Sequence, residues 1–430
     1  MKKYNTSPLS GMQELLPNEQ IIFDYYKKNI SDVYHHYGFI SIETPIIERT
    51  DILFAKAGGD TEKQIYKVSK TAESEDSADQ ALRFDHTVPL ARYVVEHNNA
   101  LAFPFQVTQI NRNFRGERAQ RGRFREFYQC DADIIGREKL PIAYDAKVIA
   151  CMYDALKTFK LPKMLIRISN RKVLSGFLNH MGLAEKTTEI SNVIDHAEKV
   201  PEEKSREALK EIGLNDEQIE KVTTFMFAHG DYATVENILF KLMGDLTPVA
   251  DGLAELKEVF DILNAKGTGN CIIDFMIVRG LDYYTGTVFE IMLEDYREIG
   301  SISGGGRYEN LASNFTDQKF PGVGGSIGLT RLFFVLREIG LINMEAKKPI
   351  DCVVIPISQD EYKACFELAE KYREQGRIVD IDLTDRKLSD RLNRASKIAE
   401  YAAIIGNDEV ISQKYTAKNL QTGDIIELEV

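Results

Sequence analysis

FPFQVTQINRNFRGERAQRGRFREFYQCDADII, residues 103–135, is the stretch on which the fold turns. Phe103, Phe105, Val107 and Ile110 precede an arginine-rich run, and Phe127-Tyr128-Gln129-Cys130-Asp131-Ala132-Asp133-Ile134 alternates again after it. The period-two pattern on each side predicts two antiparallel strands joined by a long basic loop. A connection of that length is usually either functional or disordered. Residues 112–126 hold six arginines (Arg112, Arg115, Arg118, Arg121, Arg123, Arg125) against two glutamates. A guanidinium is a planar fork of donors that suits phosphate oxygens. The pair of strands and its loop therefore suit a polyphosphate or a nucleic-acid end. A solvated basic face is the competing reading. The density of arginine inside an acidic chain, with Phe114 and Phe127 beside it, favours binding.

Working outward, residues 18–37 read as an amphipathic helix on Ile21, Ile22, Tyr25, Tyr26, Ile30, Val33 and Tyr34, with Gly38 placed to end it. Phe39 to Pro45 alternates like a strand and stops at the proline. The acidic run TAESEDSADQ, residues 71–80, reads as a mobile surface loop. From about 183 to 265 the chain is rich in Glu, Lys, Leu and Ile at helical spacing, which predicts a helical insertion. Strand texture returns at 271–293, followed by glycine clusters at Gly304–Gly306 and Gly322–Gly328 and a helix Leu329–Ile339. Gly304–Gly306 fits a tight turn or a close approach of backbone to a ligand. Past a linker at Lys347-Lys348-Pro349 the pattern is β-α-β-α-β: 351–357, 360–375, 377–383, 387–402 and 403–406. Such alternation implies a small domain with a parallel-type sheet.

The chain has 430 residues and a net charge of −12, which rules out nucleic-acid binding by bulk charge alone but not a local basic site. The five cysteines (Cys130, Cys151, Cys271, Cys352, Cys365) form no C-x-x-C pair, so neither a disulfide framework nor a zinc site is expected. None of the seven histidines has metal-ligand spacing, and each is read as satisfied or exposed; His86 sits between Asp85 and Thr87. No signal peptide and no membrane span is expected, and the compartment expected is the cytoplasm. No G-x-G-x-x-G opens a helix and no G-x-x-x-x-G-K-[ST] is present, so any nucleotide is held by another device. Arg279 to Tyr284 sets an arginine, an aspartate and two tyrosines between apolar runs. Either a polar pocket floor or a structural polar network accounts for them.

Taken in order, these segments resemble histidyl-tRNA synthetase, a class II aminoacyl-tRNA synthetase, over nearly the whole chain. The helix and strand ending at Pro45 look like class II motif 1, Phe114-Arg115-Gly116-Glu117 through Phe127 like motif 2, and Gly324 to Leu332 like motif 3. Arg279-Gly280-Leu281-Asp282-Tyr283-Tyr284-Thr285-Gly286 and Ser303-Gly304-Gly305-Gly306-Arg307-Tyr308 are similar to the two histidine-specific signatures. The sequence departs from that pattern at His86, where leucine or glycine is commoner, and at Ala119, where bacterial relatives usually carry proline.

The resemblance implies an α+β protein: an antiparallel class II catalytic sheet flanked by helices over 1–345, a helical insertion about 183–265, and a C-terminal α/β anticodon-binding domain over 346–430. It implies a homodimer that makes histidyl-adenylate from histidine and ATP, with Mg²⁺ on the ATP phosphates, and charges tRNA(His). By the same resemblance Arg115 and Arg279 are catalytic at the α-phosphate. Arg115, Glu117, Arg123, Phe127 and Arg331 bind ATP, and Asp85, Thr87, Gln129, Asp133, Tyr283 and Tyr284 bind histidine. No resident metal site is implied. The strongest rival is the non-catalytic regulatory subunit of ATP phosphoribosyltransferase, which shares the catalytic fold but lacks the anticodon domain. Residues 351–430 and Arg279 argue against it. Another class II synthetase, for proline, threonine or glycine, is disfavoured by Tyr283-Tyr284. A pure RNA-binding module leaves the pocket residues unexplained.

Overall fold

The structure, a computed structural model, describes residues 4–55, 62–71, 79–268, 270–278, 284–309, 312–344 and 348–428. The chain divides into two compact units, one of Met1–Glu14 with Tyr25–Ile342 and the other of Leu15–Asp24 with Asn343–Val430.

The larger unit is built on a mostly antiparallel sheet. Among the described residues its nine strands lie in the order Ile40–Ser41, Phe105–Phe114, Glu126–Ile135, Gly322–Ile327, Ser303–Tyr308, Thr287–Leu293, Met164–Asn170, Asn270–Asp274 and His229–Gly230. Ile40–Ser41 joins Phe105–Phe114 in parallel, and Asn270–Asp274 joins Met164–Asn170 in parallel. The two strands expected from residues 103–135 are central, paired from Phe105↔Ile135 to Phe114↔Glu126. Their connection is ordered by its own backbone bonds: Arg115 N donates to Arg125 O at 2.9 Å, and Gln120 and Arg123 bond reciprocally.

Helix Pro17–His36 forms where the apolar spacing predicts it, and Tyr26, Ile30 and Tyr34 bury one stripe. The buried Tyr34 hydroxyl donates to the carbonyl of Cys130 at 2.9 Å, tying the helix to the sheet. The expected strand at 39–45 shrinks to Ile40–Ser41. Beyond it the buried Thr44 gives its hydroxyl proton to Gln109 and its carbonyl to Arg83, and Pro45 has no N–H for a ladder. The acidic run expected as a mobile loop lies largely outside the described residues, at 72–78; the strand Gln80–Leu82 follows it in a small sheet with Ile47–Arg49 and Lys67–Val68.

The residues expected as a helical insertion carry the helices Thr187–Ala197, Glu202–Glu211, Asp216–Met226, Tyr232–Met243 and Ala250–Lys266. Both glycine clusters differ from a turn. Gly304–Gly306 lies inside Ser303–Tyr308, and Gly322–Gly325 inside Gly322–Ile327. Glycine is needed there because the sheet is crowded, at Gly305 and Gly306 first by neighbouring backbone and at Gly322, Gly324 and Gly325 by side chains, not because the chain bends.

In the smaller unit, strand Ile350–Pro356 alternates between two cores. Cys352 and Val354 pack with Cys365 and Leu368 of helix Tyr362–Glu374, and Val353 and Ile355 with Ala395 of helix Leu388–Ile398. The second helix ends four residues sooner than expected, because Ala399–Ile405 runs as a central strand parallel to Ile350–Pro356. Two antiparallel strands that the alternation did not disclose, Tyr415–Asn419 and Ile425–Leu428, complete the sheet. No described helix is long and apolar enough to cross a membrane.

Candidate active site

One face of strand Glu126–Ile135 organises the site. Because side chains alternate, Phe127, Gln129, Asp131 and Asp133 point the same way. At about 6.8 Å per pair of residues the row is roughly 20 Å long, enough to lie along a nucleotide joined to an amino acid. Its outer end borders a cleft of about 450 Å³ lined by Arg115, Glu117, Arg123, Phe127 and Arg331. Its inner end borders a cavity of about 200 Å³ lined by Asp85, Thr87, Gln129, Asp131, Asp133 and Tyr284. Arg115, Gln129, Gly304 and Ser326 line both. Every candidate residue that the structure describes therefore lies on one of two adjoining spaces. Arg279 and Tyr283 lie outside the described residues.

In the cleft, Arg115 donates from Nε to the carbonyl of Phe84 at 3.1 Å, and its guanidinium carbon sits 5.2 Å from the Phe127 ring centre. Both contacts aim the planar fork across the junction of the two spaces. Arg123 Nη1 donates to Glu117 Oε2 at 3.0 Å, and Arg331 Nη2 to the carbonyl of Ile299. Helix Leu329–Glu338 carries Arg331, and its Thr330 hydroxyl accepts from the Tyr128 N–H at 2.8 Å, fixing helix to strand.

The cavity is more closed. Asp85 precedes helix Thr87–His97 and accepts from the Val88 N–H at 3.1 Å. Burial raises its carboxyl to about 6, against the smaller opposing pull of that bond and of Arg115. Asp133 is also pushed up, first by burial and then by the charge of Asp131, while the Tyr308 hydroxyl donates to its Oδ1 at 3.0 Å. Gly324, opposite Asp133 in the ladder, makes room for that carboxylate: a Cβ there would overlap Asp133 Oδ1. A Cβ at Gly306 would press on the Tyr284 ring at 3.0 Å. The glycine clusters thus hold the pocket open for larger side chains. Arg307, in the same cluster, is structural: it is buried and donates to Asp145 Oδ1 at 2.7 Å and to the carbonyls of Leu140 and Pro141.

Sequence reasoning missed Asp131, Ser326 and Asn113. Gln129 Nε2 donates to Ser326 Oγ at 2.9 Å, Ser326 Oγ donates to Asp131 Oδ1, and Asn113 Nδ2 donates to Gln129 Oε1 at 2.8 Å. The period of two that puts Gln129 and Asp133 on one face puts Asp131 between them, so the signal was present. Ser326 needed the register with Asp131, which only the structure supplies. His86, expected to be satisfied or exposed, is completely buried, with Nδ1 3.1 Å from Asp131 Oδ2 and no hydrogen-bond partner for Nε2 among the described residues.

The family model for histidyl-tRNA synthetase matches residues 11–332, and one for an anticodon-binding domain matches residues 351–430. The chain belongs to the histidyl-tRNA synthetase family. It is 42% identical to the histidine--tRNA ligase of Finegoldia magna over 421 residues, covering 97% of this chain and 96% of that one. It is 43% identical to the Clostridium tetani ligase over 430 residues, covering 99% and 96%. The crystal structure of histidyl-tRNA synthetase from Nostoc sp. superposes with a TM-score of 0.88 at 36% identity, over 99% of this chain and 97% of that one. A Bacillus halodurans protein described as an ATP phosphoribosyltransferase regulatory subunit/histidyl-tRNA synthetase shares the fold, with a TM-score of 0.77 at 22% identity over 94% and 99%. In this chain the sheet separates two sets of polar groups, with cations in the open cleft and carboxylates in the closed cavity.

Proposed function

We propose that this chain is a histidine--tRNA ligase that activates histidine with ATP and esterifies the 3′ end of tRNA(His). The observation that carries the reading is the junction at Arg115 between an arginine-lined cleft and a cavity walled by buried carboxylates. The cleft suits a nucleoside triphosphate. Glu117 takes the adenine amino group, Phe127 stacks on the ring, and Arg123 and Arg331 hold the outer phosphates. The cavity suits a cationic amino acid with a polar ring. Asp85, Thr87 and Gln129 take the ammonium group, and Asp133 and Tyr284 take the two imidazole nitrogens, with Tyr283 beside them.

In the first step a histidine carboxylate oxygen attacks the α-phosphorus. A new P–O bond forms, the bond to the β-phosphate oxygen breaks, and pyrophosphate leaves. Little proton transfer is involved, so positioning and charge neutralisation dominate. Arg115 bridges the α-phosphate and the carboxylate, and Arg279 is assigned to the α-phosphate during attack. In the second step a terminal ribose hydroxyl of the tRNA attacks the carbonyl carbon and AMP leaves. Mg²⁺ would enter with the ATP as part of the substrate, held by phosphate oxygens and by waters that it keeps, and would offset charge on the outer phosphates.

Residues 1–345 are assigned to catalysis, with the helical insertion at about 183–265, and 346–430 to the anticodon. The last segment has no basic excess, so it is expected to read splayed bases through selected polar contacts. A cytoplasmic homodimer is proposed; the exposed Ile40, on the edge strand of the large sheet, and the exposed Ile46 and Ile47, at the edge strand of the small sheet, suit a partner subunit. The test is ATP–pyrophosphate exchange with each amino acid in turn. Exchange with histidine alone supports the reading, and exchange with none, or with proline, threonine or glycine, overturns it.

A further inference from the structure

We propose that His86 is a positioning residue: through Asp131 and Ser326 it fixes the direction of the Gln129 amide, and so sets the affinity for the amino acid. The proposal rests on reading the closed cavity as the histidine site.

The relay has one consistent direction. A carboxylate only accepts, so the Ser326 proton is committed to Asp131 Oδ1. The Ser326 lone pair then faces Gln129, whose Nε2 donates to it at 2.9 Å. That leaves Gln129 Oε1 as the exposed acceptor, steadied by the Asn113 amide at 2.8 Å. An ammonium group is a donor only, so it needs Oε1, not the amide nitrogen, on its side.

His86 holds the first link in place. Its imidazole is wholly buried, and Nδ1 lies 3.1 Å from Asp131 Oδ2, a close polar contact more than a well-aligned hydrogen bond. Asp131 shares the cavity with Asp85 and Asp133, and its two oxygens are divided: Oδ2 faces His86 and Oδ1 takes the Ser326 proton. Arg83 acts on Asp131 from the strand side, and Tyr34 and Cys130 are the other titratable groups close to it. Without the imidazole against Oδ2 the Asp131 carboxylate is free to turn. Its Oδ1 then leaves the Ser326 hydroxyl, which can turn round and free the Gln129 amide to flip. Buried imidazole atoms with so few partners are rare enough to require a reason, and this relay supplies one.

The experiment measures KM for histidine, KM for ATP and the saturated exchange rate in four variants: His86→Leu, His86→Asn, Ser326→Ala and the His86→Leu/Ser326→Ala pair. His86→Leu and Ser326→Ala should each raise the histidine KM about tenfold or more, the scale of one hydrogen bond to a charged group. The ATP KM and the saturated rate should stay within roughly threefold, because the lost contact serves ground-state binding. His86→Asn, which keeps an amide donor near the Nδ1 position, should bring the histidine KM back to within about threefold of the parent. The pair should be no worse than the worse single variant, because both cut one relay. Additive losses in the pair, an asparagine variant as impaired as leucine, or an unmoved histidine KM would each overturn the proposal. If His86→Leu does not fold, Ser326→Ala and His86→Asn decide it alone: a raised histidine KM in the first with a near-parent value in the second supports the relay, and a parent-like Ser326→Ala removes it. Asp133→Ala separates the two levels. If it too leaves the histidine KM unmoved, the cavity reading itself fails; if it alone raises that KM, only the relay fails.

Discussion

At the inner end of strand Glu126–Ile135 the groups that face the site are carboxylates almost out of solvent, with Asp131 and Asp133 each 4% exposed and Asp85 6%. At the outer end the groups are cations on a connection between strands, and the Arg123 side chain is 60% exposed. The inner groups are held by ladder register, by Tyr308 and by room left at Gly324. The outer ones lean on a few backbone carbonyls and on Glu117. A buried polar group left unpaired costs far more than an exposed one. The inner end is therefore built to reject a wrong amino acid, and the outer end to gather a highly charged nucleotide that brings its own phosphates.

The contrast is broken or sharpened most strongly by substrate choice. An analogue of histidine with a phenyl ring in place of imidazole should lose about 10⁴-fold or more in kcat/KM, because Asp133 and its neighbours would be left unpaired. A loss of only about tenfold would make the cavity a hydrophobic slot by energetics. Next in size is Arg115→Ala. Single-turnover adenylate formation should slow by about 10²-fold or more, since this side chain serves both spaces and offsets charge that develops in attack.

How much of this was legible in the sequence differs by element. The two central strands follow from alternation and the helices of 183–265 from their apolar stripes, and the basic connection follows from lying between the strands. The ends of the smaller unit did not. Ala399-Glu400-Tyr401-Ala402 continues the helical composition of the residues before it, and only pairing with Ile350–Pro356 makes it a strand. The strands Tyr415–Asn419 and Ile425–Leu428 are short: the first alternates over only five residues, and the second is exposed except at Leu428. In the site, the arginines and Asp133 could be singled out from local pattern and resemblance. Ser326 and Asn113 could not, since their roles depend on register across strands far apart in sequence. Asp131 was readable from its place between Gln129 and Asp133 and was passed over.

Smaller effects separate the two ends further. Arg123→Ala should raise the ATP KM by roughly 3- to 10-fold, with little effect on the histidine KM and a smaller penalty at high salt, as befits an exposed cation. A larger change in histidine KM than in ATP KM would erase the distinction. The smallest expected effect is on stability. The Asp85 carboxyl sits at about 6 in the folded protein, above its ordinary 3.8. Between those values the native state binds more protons than the unfolded one, so stability falls as pH rises through the window and levels off above it. Asp85→Asn should therefore raise the melting temperature of the ligand-free protein at pH 7.5, and by less at pH 5. Equal shifts at the two pH values, measured by calorimetry, would mean that the buried charge is not the cause.

The division of labour itself is tested most directly by crossing Asp133→Ala with Arg123→Ala in ATP–pyrophosphate exchange, reading both Michaelis constants for each. Asp133→Ala should raise the histidine KM by about 10²-fold or more, the cost of leaving a hydrogen-bonding substrate unpaired, with the ATP KM nearly unchanged. Arg123→Ala should do the reverse on a smaller scale. If Asp133→Ala weakened ATP as much as histidine, the inner cavity would not be the amino-acid site, and the account would be wrong at its centre.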